Sequence, residues 1–330
     1  MPERIKLLVV IVCYKAADLT IDCLKSIADQ IDDLPGVQVA VCENGTGEES
    51  AKKIADAIHA HEWNDWCWLK VINPNRGFSG GNNAILSDAL AWDQPPEMFL
   101  LLNADTIVRQ GALRTMLTVA DSHQDAGIIS PRLEWPDGTP QISCFRYINP
   151  VSEFLEAAKT GPITKYLKRF EVPIDVKDMP TEPQWTSFAC VLIRCEVFQK
   201  IGLLDPGYFL YFDDPDFCRR ARKAGWSVLN WPDARVVHLR GKSNPVKERT
   251  ANMQRRPSYF YASRARYLAK FYTPVGLWCT NLLWSIGRMI SFIREKVGKK
   301  AEHVCESEVK DIWTNWSHPM RTMGNLGDDS

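Results

Sequence analysis

Short unbroken apolar runs alternate with amphipathic stretches through the first third of the chain. Residues 7–13, Leu-Leu-Val-Val-Ile-Val-Cys, are apolar without alternation, the pattern of a strand buried on both faces. Similar runs at 37–42, 68–72 and 99–102 predict three more strands, and helical spacing predicts helices over 17–29, 50–61 and 80–88. This order predicts an α/β fold with a parallel sheet covered on both sides. About six apolar residues follow Lys6, too few for the apolar core of a signal peptide and without a small-residue cleavage site, so they are read as the first strand.

In open sheets of this kind ligands bind at the carboxyl ends of the strands. The segments at those ends are the polar ones: Tyr14-Lys15, Glu43-Asn44-Gly45, Asn73-Pro74-Asn75-Arg76-Gly77 and Asn103-Ala104-Asp105-Thr106. Four such segments at one sheet edge make a site. Gly77, Gly80 and Gly81 let backbone N–H groups and a helix N-terminus approach a phosphate or sugar, and they equally suit a tight loop with positive φ. The stretch is neither a P-loop nor a GxGxxG fingerprint. Asp105 reads as a loop cap or as an oxygen ligand to a hard cation that shares substrate phosphates.

A second concentration of chemistry lies at 208–220, where Asp213, Asp214 and Asp216 follow Tyr208, Phe209, Tyr211 and Phe212. Asp214 before Pro215 predicts a helix N-cap with proline at the first helical position, and the helix then runs to a stop at Gly225. Crowded carboxylates beside apolar rings raise one another's proton affinity, which suits a general base near neutral pH.

Composition adds an asymmetry. Lys+Arg and Asp+Glu are 40 each, yet residues 240–300 carry 14 basic side chains against 2 acidic ones. Residues 258–272 read as a basic, aromatic helix, and 271–287 contain no charge. That run is shorter than the roughly 20 residues a spanning helix needs. It fits an interfacial helix on an anionic membrane surface, or a helix packed on the catalytic domain or in a homodimer interface. Nucleic-acid binding is disfavoured, since a carboxylate-lined sheet edge would serve no purpose there. The ten cysteines form no CxxC pair and predict reduced thiols in a cytosolic protein. An acidic tail over 301–330 is expected to be partly mobile.

The ordered set of Tyr14, Glu43-Asn44, the GFSGGNN stretch, Asn103-Ala104-Asp105, Trp185 to Arg194, the FDDPDFCRRARKAGW block and Pro232 to His238 resembles the family 2 glycosyltransferases, most closely their bacterial rhamnosyltransferase-like branch. The resemblance covers about residues 5–245. It implies an A-type glycosyltransferase fold, a mainly parallel central sheet flanked by helices, followed here by a C-terminal helical extension. The catalytic domain would span 1–245, with a nucleotide-binding half at about 1–110 and an acceptor half at about 111–245. A basic, aromatic extension over 246–300 and the tail over 301–330 would follow.

What the resemblance implies is inverting transfer from a nucleoside diphosphate sugar, with dTDP-rhamnose preferred, to a glycan or glycolipid acceptor at the cytoplasmic side of the membrane. The donor would lie against Tyr14, Glu43, Asn75, Arg76, Gly77, Gly80, Asn83, Asn103, Ala104 and Asp105. Glu43 would approach the nucleotide base. Asp105, with His238, would hold a Mg2+ or Mn2+ on the diphosphate. Asp214 would be the base, with Asp213 beside it. This chain differs from the family pattern at Glu43, Asn103 and Asp213, and at Phe188, where the resemblance expects open space near donor and acceptor. A nucleotidyltransferase activated through Lys15, and an inactive carbohydrate-binding protein, are the rival readings.

Overall fold

The computed structural model describes residues 5–239, 246–298 and 303–322. The last eight residues of the tail expected to be mobile, together with Lys299 and Lys300, lie outside the described residues. The chain order begins β1 (Leu7–Cys13), α1 (Ala17–Ile31), β2 (Val37–Asn44), α2 (Glu48–Ala60), β3 (Cys67–Ile72), α3 (Gly77–Leu90), β4 (Met98–Asn103), β5 (Thr106–Val108), α4 (Ala112–Ser122) and β6 (Ala126–Glu134). It continues with β7 (Cys144–Phe145), α5 (Pro150–Ala158), α6 (Gly161–Tyr166), β8 (Trp185–Thr186), β9 (Cys190–Arg194), α7 (Cys195–Ile201), α8 (Asp213–Lys223), β10 (Ser227–His238), α9 (Val246–Ala251), α10 (Ser258–Gly298) and α11 (Glu308–Asp311).

Eight strands form one sheet in the order β3-β2-β1-β4-β9-β6-β10-β5. The first four are parallel, as the apolar runs predict. The parallel set then breaks: β9 runs antiparallel between β4 and β6, and β5 pairs antiparallel with β10. The unalternating strands are explained by a core on each face. Leu7, Val9 and Ile11 point into one apolar layer with Leu24 and Ile27 of α1, while Leu8 and Val10 point into the other with Leu86 of α3 and Phe217 of α8.

Two helix starts differ from the sequence expectation. The helix expected from residue 80 begins at Gly77, because the Phe78 N–H is held by the carbonyl of Phe209 at 2.8 Å, a tertiary partner 131 residues away in sequence. Asp214 is the second residue of α8 and not its N-cap. The cap position falls to Phe212, which with Tyr211 adopts left-handed backbone angles (φ 66° and 67°). Pro215 is consequently the third helical residue, still within the first turn where its missing N–H costs nothing.

The expectation for the cysteines holds among the thiols themselves: all ten are free, nine are buried and Cys279 is exposed.

The C-terminal helix α10 breaks at Thr273 (φ 68°, ψ 163°) ahead of Pro274. Its first arm, residues 258–272, shares a core with Tyr208 and Phe212 through Ala265, Tyr267 and Leu268. Much of the basic charge seen in sequence is internal. Arg264 pairs with Glu153, Arg266 with Asp205, Lys270 with Asp205 and Asp216, and Arg288 with Glu295. The second arm, 274–298, packs along α5. A Cβ at Gly287 would meet the Phe154 carbonyl oxygen at 2.6 Å, so glycine permits the close approach. Trp284 is buried there beside Ala157, whereas Trp278 and Leu282 are exposed. No helix among the described residues is long and apolar enough to cross a membrane.

Candidate active site

The polar segments gather where the sheet predicts. Cys13 pairs with Glu43, Glu43 with Val71, and Val12 with Asn103, so the carboxyl ends of β1 to β4 lie side by side. Tyr14 is half-buried at the end of β1, with the Lys15 ammonium 5.3 Å from its ring centroid. The Lys15 N–H donates to the Thr46 hydroxyl at 2.8 Å, tying the first loop to the second.

Glu43 is fully buried, and its carboxylate accepts the N–H groups of Gly45 at 3.2 Å and Thr46 at 2.9 Å. Asn44, which the sequence reading left without a role, joins the second loop to the third: its amide donates to the Gly77 carbonyl and accepts the Arg76 N–H, both at 2.9 Å. Asn75 closes the turn by accepting the Gly77 N–H at 2.8 Å. Gly77 has φ 69°, and a Cβ there would meet the Phe209 carbonyl oxygen at 2.0 Å, so this glycine answers both to backbone conformation and to close approach. Gly80 lies under the Arg76 side chain, whose head is exposed. Asn83 exchanges two hydrogen bonds with the backbone of Leu204, at 2.8 and 3.2 Å, which fixes the loop leading to α8.

Asn103 is half-buried, and Ala104 and Asp105 are buried. The register of β5 against β10 sets Thr106 opposite His238, and this brings the His238 Nε2 to 3.5 Å from an Asp105 carboxylate oxygen. The Asp105 carbonyl accepts the Leu239 N–H at 2.9 Å, and the His238 carbonyl accepts the Gln141 amide at 2.8 Å. The pair expected from sequence is therefore brought together, on two strand ends braced by backbone bonds. One carboxylate and one imidazole that converge in this way fit a divalent cation whose remaining ligands are diphosphate oxygens and water. Among the described residues no group of three or more His, Cys, Asp or Glu side chains is placed to hold a metal without such help.

The three carboxylates of α8 have separate environments. Asp216 is 0 % exposed and accepts from Arg220 at 2.7 Å, Lys270 at 2.6 Å and the Tyr208 hydroxyl at 3.2 Å. Asp213 is buried, and burial pushes its carboxyl up to about 6 against the opposing pull of the Asp213 and Asp214 N–H groups and the Ser79 hydroxyl, with Asp216 adding to the rise. Asp214 is the partly exposed one of the three. Tyr211, held in its left-handed conformation, joins the two halves of the site. Burial raises its hydroxyl pKa first, and Tyr259, Asp214, Asp213 and Asp105 raise it further, so this ring lies within electrostatic reach of both acidic centres.

Phe188 is buried and packs edge-on to Phe217 of α8 at 5.8 Å.

A family model described as "Glycosyltransferase like family 2" matches residues 2–256. The N-acetylglucosaminyl-diphospho-decaprenol L-rhamnosyltransferase of Mycobacterium tuberculosis is 28% identical over 149 residues, 44% of this chain and 47% of that protein. The low-salt glycan biosynthesis hexosyltransferase Agl10 of Haloferax volcanii is 27% identical over 197 residues, 56% of this chain and 57% of that one. The chain thus spans about half the length of these curated relatives. Among solved structures, GalNAc-T7 with UDP, GalNAc and Mn2+ aligns with a TM-score of 0.55 at 14% identity, covering 96% of this chain and 59% of that one. The mannosyltransferase PcManGT from Pyrobaculum calidifontis, with GDP-Man and Mn2+, aligns at 0.53 and 14% identity, covering 100% and 89%. These likenesses give the A-type glycosyltransferase fold. The match over residues 2–256 makes this chain a member of glycosyltransferase family 2.

Proposed function

We propose that this enzyme is an inverting glycosyltransferase that moves a sugar, rhamnose from dTDP-rhamnose as the preferred donor, onto a hydroxyl of a glycan or lipid-linked acceptor used in building surface polysaccharide. The observation that carries the reading is the division of labour in the first turn of α8. Asp216 is held in ion pairs and Asp213 is buried, whereas Asp214 is the partly exposed carboxylate of that turn, and Tyr211 feels the charge of both Asp214 and Asp105.

In this reading Asp214 takes the proton of the acceptor hydroxyl as its oxygen bonds to the anomeric carbon. The bond from that carbon to the diphosphate breaks, and the nucleoside diphosphate leaves with the electron pair. Asp105 and His238 are the residues that would hold Mg2+ or Mn2+. When bound, the cation supplies positive charge against the departing diphosphate. Arg76, exposed above the glycine-rich loop, offers further cationic charge on that side. Tyr14, Asn75, Gly77, Gly80, Asn103 and Ala104 would shape the donor pocket, and Glu43, through the loop it caps, would set the wall for the nucleotide base. The relatives named as rhamnosyltransferases support the donor preference and a diphospho-lipid acceptor. A place of work on the inner face of the membrane follows from such an acceptor.

The test is a donor screen by ligand-detected NMR and thermal shift across dTDP-, UDP- and GDP-sugars, with and without Mn2+. Tightest binding of dTDP-rhamnose, strengthened by Mn2+, is expected. Selective binding of a UDP- or GDP-sugar would replace the donor assignment, and no binding of any nucleotide sugar would remove the transferase reading.

A further inference from the structure

The second arm of α10 has two faces of opposite character. Leu277, Asn281, Trp284, Arg288, Ser291 and Glu295 are buried against α5 and the first arm. On the opposite side Val275, Trp278, Leu282, Ile286, Met289 and Ile293 are exposed. Their spacing of three and four residues makes one continuous apolar stripe, about 27 Å long at the helical rise. A stripe of this extent in water marks a surface that something covers.

Its C-terminal end is basic. The stripe closes on Val297, 82 % exposed, and on exposed Lys296. There the Arg294 guanidinium donates to the carbonyl of Lys159, the first residue of a segment that runs on to Arg169. That segment reads Lys-Thr-Gly-Pro-Ile-Thr-Lys-Tyr-Leu-Lys-Arg, four basic residues and no acidic one. Lys159, Lys165, Lys168 and Arg169 are all exposed, and Tyr166 between them is 88 % exposed. The acidic residue of the second arm, Glu295, is buried in pairs with Arg288 and His303, so no exposed acid flanks the stripe along residues 274–298.

We propose that the α10 stripe and residues 159–169 together form a surface that lies on an anionic lipid bilayer, with the helix arm in the plane of the membrane. Apolar side chains enter the acyl boundary, Trp278 and Tyr166 take the headgroup level, and the lysines and arginine meet lipid phosphates. A second copy of the chain fits less well, because its own stripe brings no acid to meet the basic cluster. The charge thus comes mainly from a segment outside α10, since the arginines of the first arm are committed to internal ion pairs. The inference rests on the membrane-side part of the proposed function and is independent of its chemistry.

The experiment is flotation of the full-length protein with vesicles of phosphatidylglycerol and phosphatidylcholine, or of phosphatidylcholine alone, at low and high salt. Wild type is expected to float with the anionic vesicles and at least tenfold less with the neutral ones. The double substitution Ile286→Glu with Met289→Glu should abolish flotation. The triple change Lys165→Gln, Lys168→Gln and Arg169→Gln should lower the vesicle partition coefficient by about a hundredfold, roughly fivefold per charge. All five positions are exposed, so melting temperatures should stay at the wild-type value. The proposal is overturned if wild type ignores anionic vesicles, if the stripe variant floats unchanged, or if sedimentation shows a dimer that Ile286→Glu splits. Donor binding on the same preparations reports on the transferase chemistry separately.

Discussion

Lys270 of the C-terminal helix donates to the buried carboxylate of Asp216 on α8 at 2.6 Å, and to Asp205 at 2.8 Å. The helix that carries the proposed base is therefore braced by a residue 54 positions further along the chain. Arg219, on the next turn of α8, adds to the brace: its guanidinium lies over Phe271 and Tyr272 at 4.4 and 4.8 Å. The extension and α8 are physically one unit.

Removing that brace should be costly. Breaking a buried ion pair by deleting one partner costs about 3–5 kcal/mol, but Arg220 and Tyr208 remain on Asp216, so Lys270→Met should lose about 2 kcal/mol. Urea denaturation measures it. A chain ended near residue 252 should fare worse, because Tyr208 and Phe212 would lose Tyr267 and Leu268 from their core. Insoluble or molten protein is the expected outcome, and a well-folded truncation would show that the first arm is dispensable.

Asp213 gives stability a specific pH dependence. Burial raises its carboxyl from an ordinary value of 3.8 to about 6, so across that window the folded protein holds the proton more firmly than the unfolded chain does. Stability therefore falls as pH rises through the window, and the deficit is fully present above it. Asp213→Asn removes the titration. The stability of the variant relative to wild type should grow by up to about 3 kcal/mol between pH 4 and 7. Chemical denaturation at a series of pH values checks the sign, and a constant difference would mean that Asp213 is ionised throughout.

The first four strands and the sheet edge they build were legible because a strand buried on both faces leaves an unmistakable run such as Leu7 to Val12, and because polar loops after such runs have one place to go. The pairing of Asp105 with His238 was legible only through the family pattern, since nothing local links positions 133 residues apart. Other features left no local trace. The early start of α3 depends on the Phe209 carbonyl, and the shift of α8 by two residues depends on two aromatic residues in left-handed conformations that sequence propensity disfavours. The burial of Phe188 and the commitment of Asp216 to Lys270 are both tertiary. The basic character of residues 240–300 misled for the same reason: charge is visible in sequence, and its internal partners are not.

The cation reading makes its own demand. Asp105→Ala or His238→Ala should weaken nucleoside diphosphate binding at least about tenfold with Mn2+ present and much less in EDTA, because each removes one ligand from a cation that neutralises phosphate charge. Isothermal titration with dTDP under both conditions separates the effects. A wild-type rate unchanged by EDTA would transfer the diphosphate to side chains such as Arg76.

Asp214→Asn tests the base most directly. Asparagine keeps the size of the side chain, and at the second position of α8 the lost charge removes only about 0.3–1 kcal/mol of favourable interaction with the helix N-terminus, so folding and donor affinity should hold. Transfer to the acceptor should fall by about 10² to 10⁴, the contribution of a positioned base. Asp216→Asn is the necessary control. It leaves Arg220 and Lys270 without their buried counter-charge, and should lower the melting temperature far more than Asp214→Asn does. A loss of transfer at Asp214 without loss of stability, set against a loss of stability at Asp216, would separate chemistry from scaffold within one helical turn. Near-normal transfer by a folded Asp214→Asn enzyme would move the proton to Asp213, whose raised proton affinity makes it the remaining acceptor on that turn.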